Sequence, residues 1–558
     1  MPQVPFDRFL AYDELTALLH GWAEERPGLV SVESIGRSWE GREIWLVAVT
    51  NAETGPAAEK PAFLCEANIH STELTGSAGA LHLLRRLVEG HGSDERVTRL
   101  LDTRTVYVIP RLNPDGAERF LRERRFTRSS VRPWPLEEQP EGLRTRDVDG
   151  DGRVLQMRVR DDNGAWKPHP DEPRMLVRRD PDEFGGEYYR LFPEGEIEGY
   201  DGVTVKIAPP LEGLDLNRNF PYGWETESIQ RGAGPFPASE PEIRAYVQAV
   251  SERPNVCAHV SYHTFSGVHL RPYAGEADEK FPPNDLRVYR EVGEKGTALT
   301  GYPAVSIYHG FKYDPKQAIT GDVHDWLYEQ LGLITWTTEF WSPQREAGLD
   351  VHPIEWLQGH PPEDDLALLR WADERYPGKA YVDWYRFEHP QLGEVELGGW
   401  DRTGYFANVP FDRLESELEP HTEWAIWTAL CLPRLEVRSF EAEPLGGDAW
   451  RLRLVLQNSG WLATNVTDKA VERKAVRPVE VELELPDGAT LGAGDAKTEA
   501  GQLAGRDRLR STHWWGNDWS TSDLAKVEWV VSAPGGGEVR AVARHQRAGV
   551  ARAALQLP

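Results

Sequence analysis

The sequence predicts an α/β protein, with a mixed, mostly parallel sheet covered by helices on both faces, followed by a C-terminal all-β sandwich. Two observations carry this prediction. Over roughly the first 130 residues, and again from "NVCAHVSYH" to "LGLITWTTEF", short unbroken apolar runs alternate with helical patterns, as strands buried on both faces require. From Leu435 onward, apolar and polar residues alternate instead, with turn signals between the runs, and helical patterns disappear.

Taken in order, "YDELTALLHGWAEERPG" has helical spacing and stops at Pro27-Gly28. "EIWLVAV", "PAFLCEAN" and "TRTVYVIP" read as strands, with a helix over about 77–88 between the last two. Residues 129–212 are polar and rich in Pro, Gly, Asp and Arg, and read as an insertion on the sheet. The helical "DVHDWLYEQLG" precedes the strand "LGLITWTTEF". "WRLRLVLQN", "PVEVELELPDG" and "KVEWVVSAPGGGEVRAVARH" supply the strands of the sandwich, and Asp487-Gly488 marks a turn. The expected organisation is one domain over 1–433 and a β-sandwich domain over 434–558. The aromatic cluster "STHWWGNDWSTS" reads as packing within the second.

A chain of 558 residues has ample length for an enzyme core. Its 63 Lys and Arg against 90 Asp and Glu give a net charge of −27, which argues against nucleic acid or an anionic membrane as partner. No segment approaches the roughly 20 apolar residues of a membrane span, and "MPQVPFDRFLAYDEL" lacks a signal-peptide pattern. Cys65, Cys257 and Cys431 are too few and too far apart for a disulfide framework. A cytoplasmic location is therefore favoured over secretion. No pattern encodes an oligomeric state.

Ligands of open α/β sheets gather beyond the carboxyl ends of the strands. His70 and Glu73 follow "FLCEAN", Asn113 follows "TVYVIPRL", His263 follows "NVCAHVSY", and Glu339 follows "LITWTT". Two imidazoles and one carboxylate leave the fourth position of a catalytic zinc open. His70, Glu73 and His263 are the expected ligands, for one zinc per chain. Glu339 is the expected general base. In the insertion, "DVDGDGR" sets Asp147, Asp149 and Asp151 at alternate positions, as at the start of a calcium loop, although Arg158 stands where an EF-hand has its bidentate Glu.

The ordered motifs "HSTE", "NPDG", "DLNRNF", "SEPE", "SYHTF" and "TTEF" resemble the zinc metallocarboxypeptidase family of the carboxypeptidase A and B type. The likeness covers about residues 6–341 and extends to a closing helix near "LESELEPHTEWAIWTALC". It implies the same zinc ligands and the same base. It further implies that Arg128, or Arg125 as a substitute, polarises the scissile carbonyl, and that Asn217 and Arg218 grip a terminal carboxylate. A mobile tyrosine of the family has no counterpart in register. Tyr313 serves if the loop is longer, and Tyr308 is the poorer choice. His324, just before Asp325-Trp326, matches the base of the specificity pocket, with Asp322 close by. Thr72 stands where many relatives carry a substrate-binding arginine.

The implied function is hydrolysis of the C-terminal peptide bond of a peptide with a free C-terminus. The alternatives are a zinc amidohydrolase acting on N-acyl amino acids or cell-wall peptides, and a non-catalytic binding protein on the same scaffold.

Overall fold

The computed structural model describes residues 2–312, 314, 316, 318–508 and 520–558. Tyr313 and the tryptophans of the cluster, Trp514, Trp515 and Trp519, lie outside the described residues.

Eight strands form the central sheet: β1 (Val30–Arg37), β2 (Glu43–Val49), β3 (Ala62–Ala67), β4 (Thr105–Ile109), β5 (Val256–Thr264), β6 (Val268–Arg271), β7 (Ala304–Ser306) and β8 (Ile334–Phe340). Their spatial order is β1-β2-β4-β3-β5-β8-β6-β7. The pairs β4-β3, β3-β5, β5-β8 and β6-β7 are parallel, and the other three are antiparallel. The sheet is thus mixed and mostly parallel.

Strand β3 shows why the apolar runs are unbroken. All six of its residues are buried. Phe63, Cys65 and Ala67 join one apolar layer and Ala62 and Leu64 the other, because side chains alternate across a strand. The first layer is closed by the helices Tyr12–Glu25, Leu74–Gly90, Glu95–Thr103, Pro283–Thr300 and Phe411–Leu430. The second is closed by Pro241–Ser251 and by the turns around Trp326. Burying a side chain such as Phe63 or Leu64 contributes about 1.5–3 kcal/mol.

The helix Leu74–Gly90 packs directly on β5. A Cβ added to Gly76 would lie 2.4 Å from the carbonyl oxygen of Tyr262, so only glycine permits this approach. The contact brings the start of that helix, with Glu73, against the end of β5, where His263 sits.

The insertion is itself strand-forming. Its strands Gln156–Arg160, Tyr189–Pro193, Trp166–Pro168 and Leu176–Arg178 join Tyr381–His389 and Gly393–Trp400 in one six-stranded antiparallel sheet. Met157 pairs with Leu397 in its core, and Arg158 forms an ion pair with Glu396.

Residues 435–557 build two four-stranded antiparallel sheets around Leu452, Leu454, Leu456, Trp529, Val531, Val539 and Ala541. A short α-helix, Asp468–Glu472, interrupts them where the sequence predicts no helix. Five residues are too few for a 3.6-residue periodicity to show. The only local signal is the Thr467 side chain, which caps the Ala470 N–H.

The three cysteines are free and buried. Among the described residues, no helix is long and apolar enough to cross a membrane.

Candidate metal centre and cleft

The site is built where strands stop. Beyond β3, Asn68 takes a φ of 62° and its Nδ2 donates to the His70 carbonyl at 2.7 Å, turning the chain back toward β5. Strand β5 runs parallel to β8 with His263 opposite Glu339. Asn113 ties in the third segment. Its Oδ1 caps the Gly116 N–H, and its Nδ2 donates to the Ser129 carbonyl at 2.8 Å, next to Arg128. The "NPDG" and "SEPE" motifs are therefore scaffolding. Asp115 receives Ser38 Oγ, Glu40 N and Arg42 Nη1, and Glu240 takes both arms of Arg132.

His70, Glu73 and His263 converge as the sequence predicts, and all three are buried. His70 Nδ1 lies 2.8 Å from Glu73 Oε1, His263 Nδ1 lies 3.0 Å from Glu73 Oε2, and the two Nδ1 atoms are 3.1 Å apart. Two ligand atoms at about 2.0–2.1 Å from one tetrahedral zinc stand about 3.3 Å apart. The spacing fits such an ion.

The electrostatics fit as well. Burial pushes His263 down to about 4, so this ring is neutral near pH 7. Burial opposes the charge on Glu73, yet the two imidazoles hold it well below the usual carboxylate range. Burial also opposes charging His70, but the Glu73 and Asp215 carboxylates raise it. An ionised carboxylate beside a neutral imidazole is a donor set that a divalent zinc takes readily. Burial first, and the Glu73 carboxylate second, push Glu339 well above the ordinary range. A dication in the site would reverse that push.

Asp215 was not among the residues singled out from the sequence. Its Oδ1 lies 3.2 Å from His70 Nε2, and its Oδ2 accepts from Arg128 Nε at 2.9 Å. It also caps the Asn217 N–H, so one carboxylate orients an imidazole, an arginine and the turn that carries Asn217 and Arg218. The available signal was its place in "DLNRNF", two residues before Asn217.

Arg128 reaches the cluster, with Nη1 3.8 Å from Glu73 Oε1, while Arg125 turns to Glu212 at 3.1 Å. The two candidates are thereby separated. Asn217 Oδ1 accepts the Val323 N–H, and Arg218 Nη1 donates to the Asn217 carbonyl at 2.6 Å. Both line a cleft together with His70, His263, Glu339 and Arg128. Its far wall is apolar, from Leu270, Ala274, Ile307, Phe311 and Ile319, and ends at Asp322, His324 and Thr337.

His324 is spoken for. Its Nδ1 faces Asp322 Oδ1 at 3.2 Å, and its Nε2 pairs with Thr337 Oγ1. Asp322, 2% exposed, keeps an Oδ2 without a hydrogen-bond partner among the described residues. Tyr308 lies under Lys312, whose Nζ is 3.3 Å from the ring centroid. Thr72 is buried, and its carbonyl accepts from Asn408 Nδ2 at 2.8 Å.

The calcium expectation finds no support. Asp147, Asp149 and Asp151 lie together, but the turn closes on itself. Asp147 caps Gly150 and Gly152, Asp149 caps Asp151 and receives Tyr385 Oη, and Asp151 pairs with Arg153. Arg158, at the twelfth position, is engaged by Glu396 in the six-stranded sheet.

A larger cleft lies where the sandwich meets the segments leading into β3 and β4, near Lys60, Asp102, Arg434 and Arg552, away from this chemistry. Lys60 donates there to Thr50, Asn51 and Thr54, and Arg552 pairs with Glu59.

A family model described as zinc carboxypeptidase matches residues 15–355, and one described as a domain of unknown function matches 434–556. A zinc carboxypeptidase of Saccharothrix mutabilis subsp. capreolus is 27% identical over 131 residues, covering 23% of this chain and 28% of that protein. Carboxypeptidase A2 of Rattus norvegicus is 23% identical over 335 residues, covering 59% of this chain and 61% of that protein. The chain thus spans less than two thirds of the length of either curated relative. The crystal structure of a carboxypeptidase A from Helicoverpa armigera aligns over 67% of this chain and 76% of its own, at a TM-score of 0.42 and 18% identity.

Proposed function

Since the chain belongs to the zinc carboxypeptidase family, we propose that it is a zinc-dependent exopeptidase that removes one residue from the C-terminus of peptides. The observation that carries this reading is the convergence of His70, Glu73, His263 and Glu339 on one rim of the sheet, with Arg218 in the same cleft.

His70, Glu73 and His263 would hold the zinc, which when bound lowers the pKa of a water and polarises a carbonyl. Glu339 takes a proton from the attacking water and returns it to the leaving amine. Arg128 donates to the carbonyl oxygen as negative charge develops there. Arg218, a planar fork beside Asn217, pairs with the terminal carboxylate. Asp215 keeps His70 and Arg128 aimed.

The test is mass detection of the residue released from a panel of peptides, with zinc content measured beside it. Wild type should release single C-terminal residues. Amidating the C-terminus of a good substrate should lower kcat/KM at least about tenfold, since one charged hydrogen bond contributes about 1.5–3 kcal/mol. His263→Ala should lose most of the zinc. Release of acyl groups from N-acyl amino acids, with no cleavage of any peptide, would overturn the reading.

A further inference from the structure

We propose that the C-terminal sandwich is a positioning element of the cleft: it grips residues 329–332 and thereby fixes the wall that receives the substrate's C-terminal side chain. This rests on the peptidase reading above. It gives a role to the part of the chain that matches a domain of unknown function.

The gripped segment joins the two halves of the site. Asp322 and His324 line the cleft and lead into the helical turns Val323–Asp325 and Trp326–Gln330. A few residues later the chain enters β8, which carries Glu339. Between them, the sandwich makes its contacts. Lys469 Nζ lies 3.2 Å from Glu329 Oε2. Arg473 pairs with Glu329 Oε1 and donates Nε to the Glu329 carbonyl at 3.1 Å. Arg547 donates to the carbonyls of Leu331 and of Gly332, the latter at 3.0 Å, and Thr467 Oγ1 donates to the Gly332 carbonyl at 2.7 Å.

The approach is close. Gly332 has a φ of 63°, and a Cβ there would lie 2.5 Å from the Ala470 backbone. The unexpected helix Asp468–Glu472 is the part of the sandwich that presses on it.

From Glu329 the grip continues into the wall. Tyr273 Oη donates to Glu329 Oε2 at 3.0 Å. The next two N–H groups, of Ala274 and Gly275, both donate to Asp325 at 3.0 Å. Ala274 lines the cleft, and Asp325 follows His324. Sandwich cations, Glu329, Tyr273 and the wall thus form one connected set of polar contacts.

Glu329 is 5% exposed, and Lys469 and Arg473 are the sandwich cations that face its carboxylate. Without them a buried carboxylate is left uncompensated, and the segment shifts to relieve it. A neutral side chain at 329 has no such need.

The experiment compares the full-length wild type with Arg473→Gln, with the double variant Lys469→Met/Arg473→Met, and with that double variant carrying Glu329→Gln. Arg552→Ala, which breaks only the exposed pair with Glu59, is the control. Steady-state kinetics are run below every melting transition on peptides differing only in the C-terminal residue (Lys, Leu, Phe or Glu), with zinc content and Tm recorded.

The double variant should change the ratio of kcat/KM between the best and worst C-terminal residue at least about tenfold, mainly through KM, with zinc retained. Glu329→Gln should restore much of that ratio. Arg473→Gln, whose side chain is partly exposed, should fold even if the double variant does not, and should move the same ratio at least about threefold. A lowered Tm with an unchanged ratio in Arg473→Gln or the double variant would overturn the proposal, leaving the sandwich as a stabiliser only. A wild type that cleaves no peptide would instead refute the peptidase reading, and this proposal with it.

Discussion

Replacing Asp215 by Asn tests whether the buried carboxylate behind His70 prepares the metal centre. In the structure Asp215 Oδ1 stands 3.2 Å from His70 Nε2, and Oδ2 takes Arg128 Nε at 2.9 Å. A carboxylate there keeps the proton of His70 on Nε2, leaves the Nδ1 lone pair toward Glu73 and His263, and makes that nitrogen more basic. Asn has the same shape but no charge. With its oxygen toward His70, its NH2 meets the Arg128 donor; reversed, it meets the Nε2–H. One donor is unpaired either way. Loss of an outer carboxylate of this kind costs 10–100-fold in metal affinity, about 1.4–2.7 kcal/mol. The assay is zinc competition against a chromophoric chelator at fixed pH near neutrality, starting from apo protein, with thermal melting to show that the fold survives. A zinc affinity equal to wild type in a folded Asp215→Asn protein would refute the reasoning, because His70 would then need no partner to act as a ligand.

Glu339→Gln and Arg128→Ala should keep zinc and fold but lose kcat by about 10²-fold or more, while Arg125→Ala stays near wild type; a near wild-type kcat in Glu339→Gln excludes it as the base. Asp322→Asn should lower kcat/KM for peptides ending in Lys or Arg more than for those ending in Leu, since its Oδ2, without a partner among the described residues, is an acceptor at the end of the apolar wall; equal effects on both would show that the oxygen meets no substrate group. Burial pushes Glu242 up to about 7 from 4.5; its Oε1 accepts the Trp39 N–H, and its Oε2 has no partner among the described residues. Between those two values the folded protein holds a proton that the unfolded chain has lost, so stability is full below about pH 4.5 and falls as pH rises through about 7. Glu242→Gln should flatten this part of the Tm-against-pH curve, and superimposable curves would show that the group does not titrate there.

The sequence by itself determined the features that rest on short-range pattern. Unbroken apolar runs such as "AFLCEA" announce strands buried on both faces, and the residue types just beyond them announce the candidate metal-ligand group, because a strand end fixes where the next side chains stand. The sandwich showed itself through alternation of period two. The same locality is silent at "DVDGDGR", where the spacing of three acids brings them together but carries no information about Tyr385 or the pairing of Arg158 with Glu396, 238 residues away. For Arg128 over Arg125 it offered only the register of the motif. Only the folded chain gives one to Glu212 and the other to Asp215, through the placement of the segment held by Asn113. The edge hairpin 381–400, the contacts of Asp215 with His70 and Arg128, the Asp322 oxygen that has no partner among the described residues and the hold of Lys469 and Arg473 on Glu329 belong to the tertiary structure alone. Each depends on burial that brings together charges from segments remote in sequence, and a desolvated charge takes whatever partner the packing places within hydrogen-bond reach.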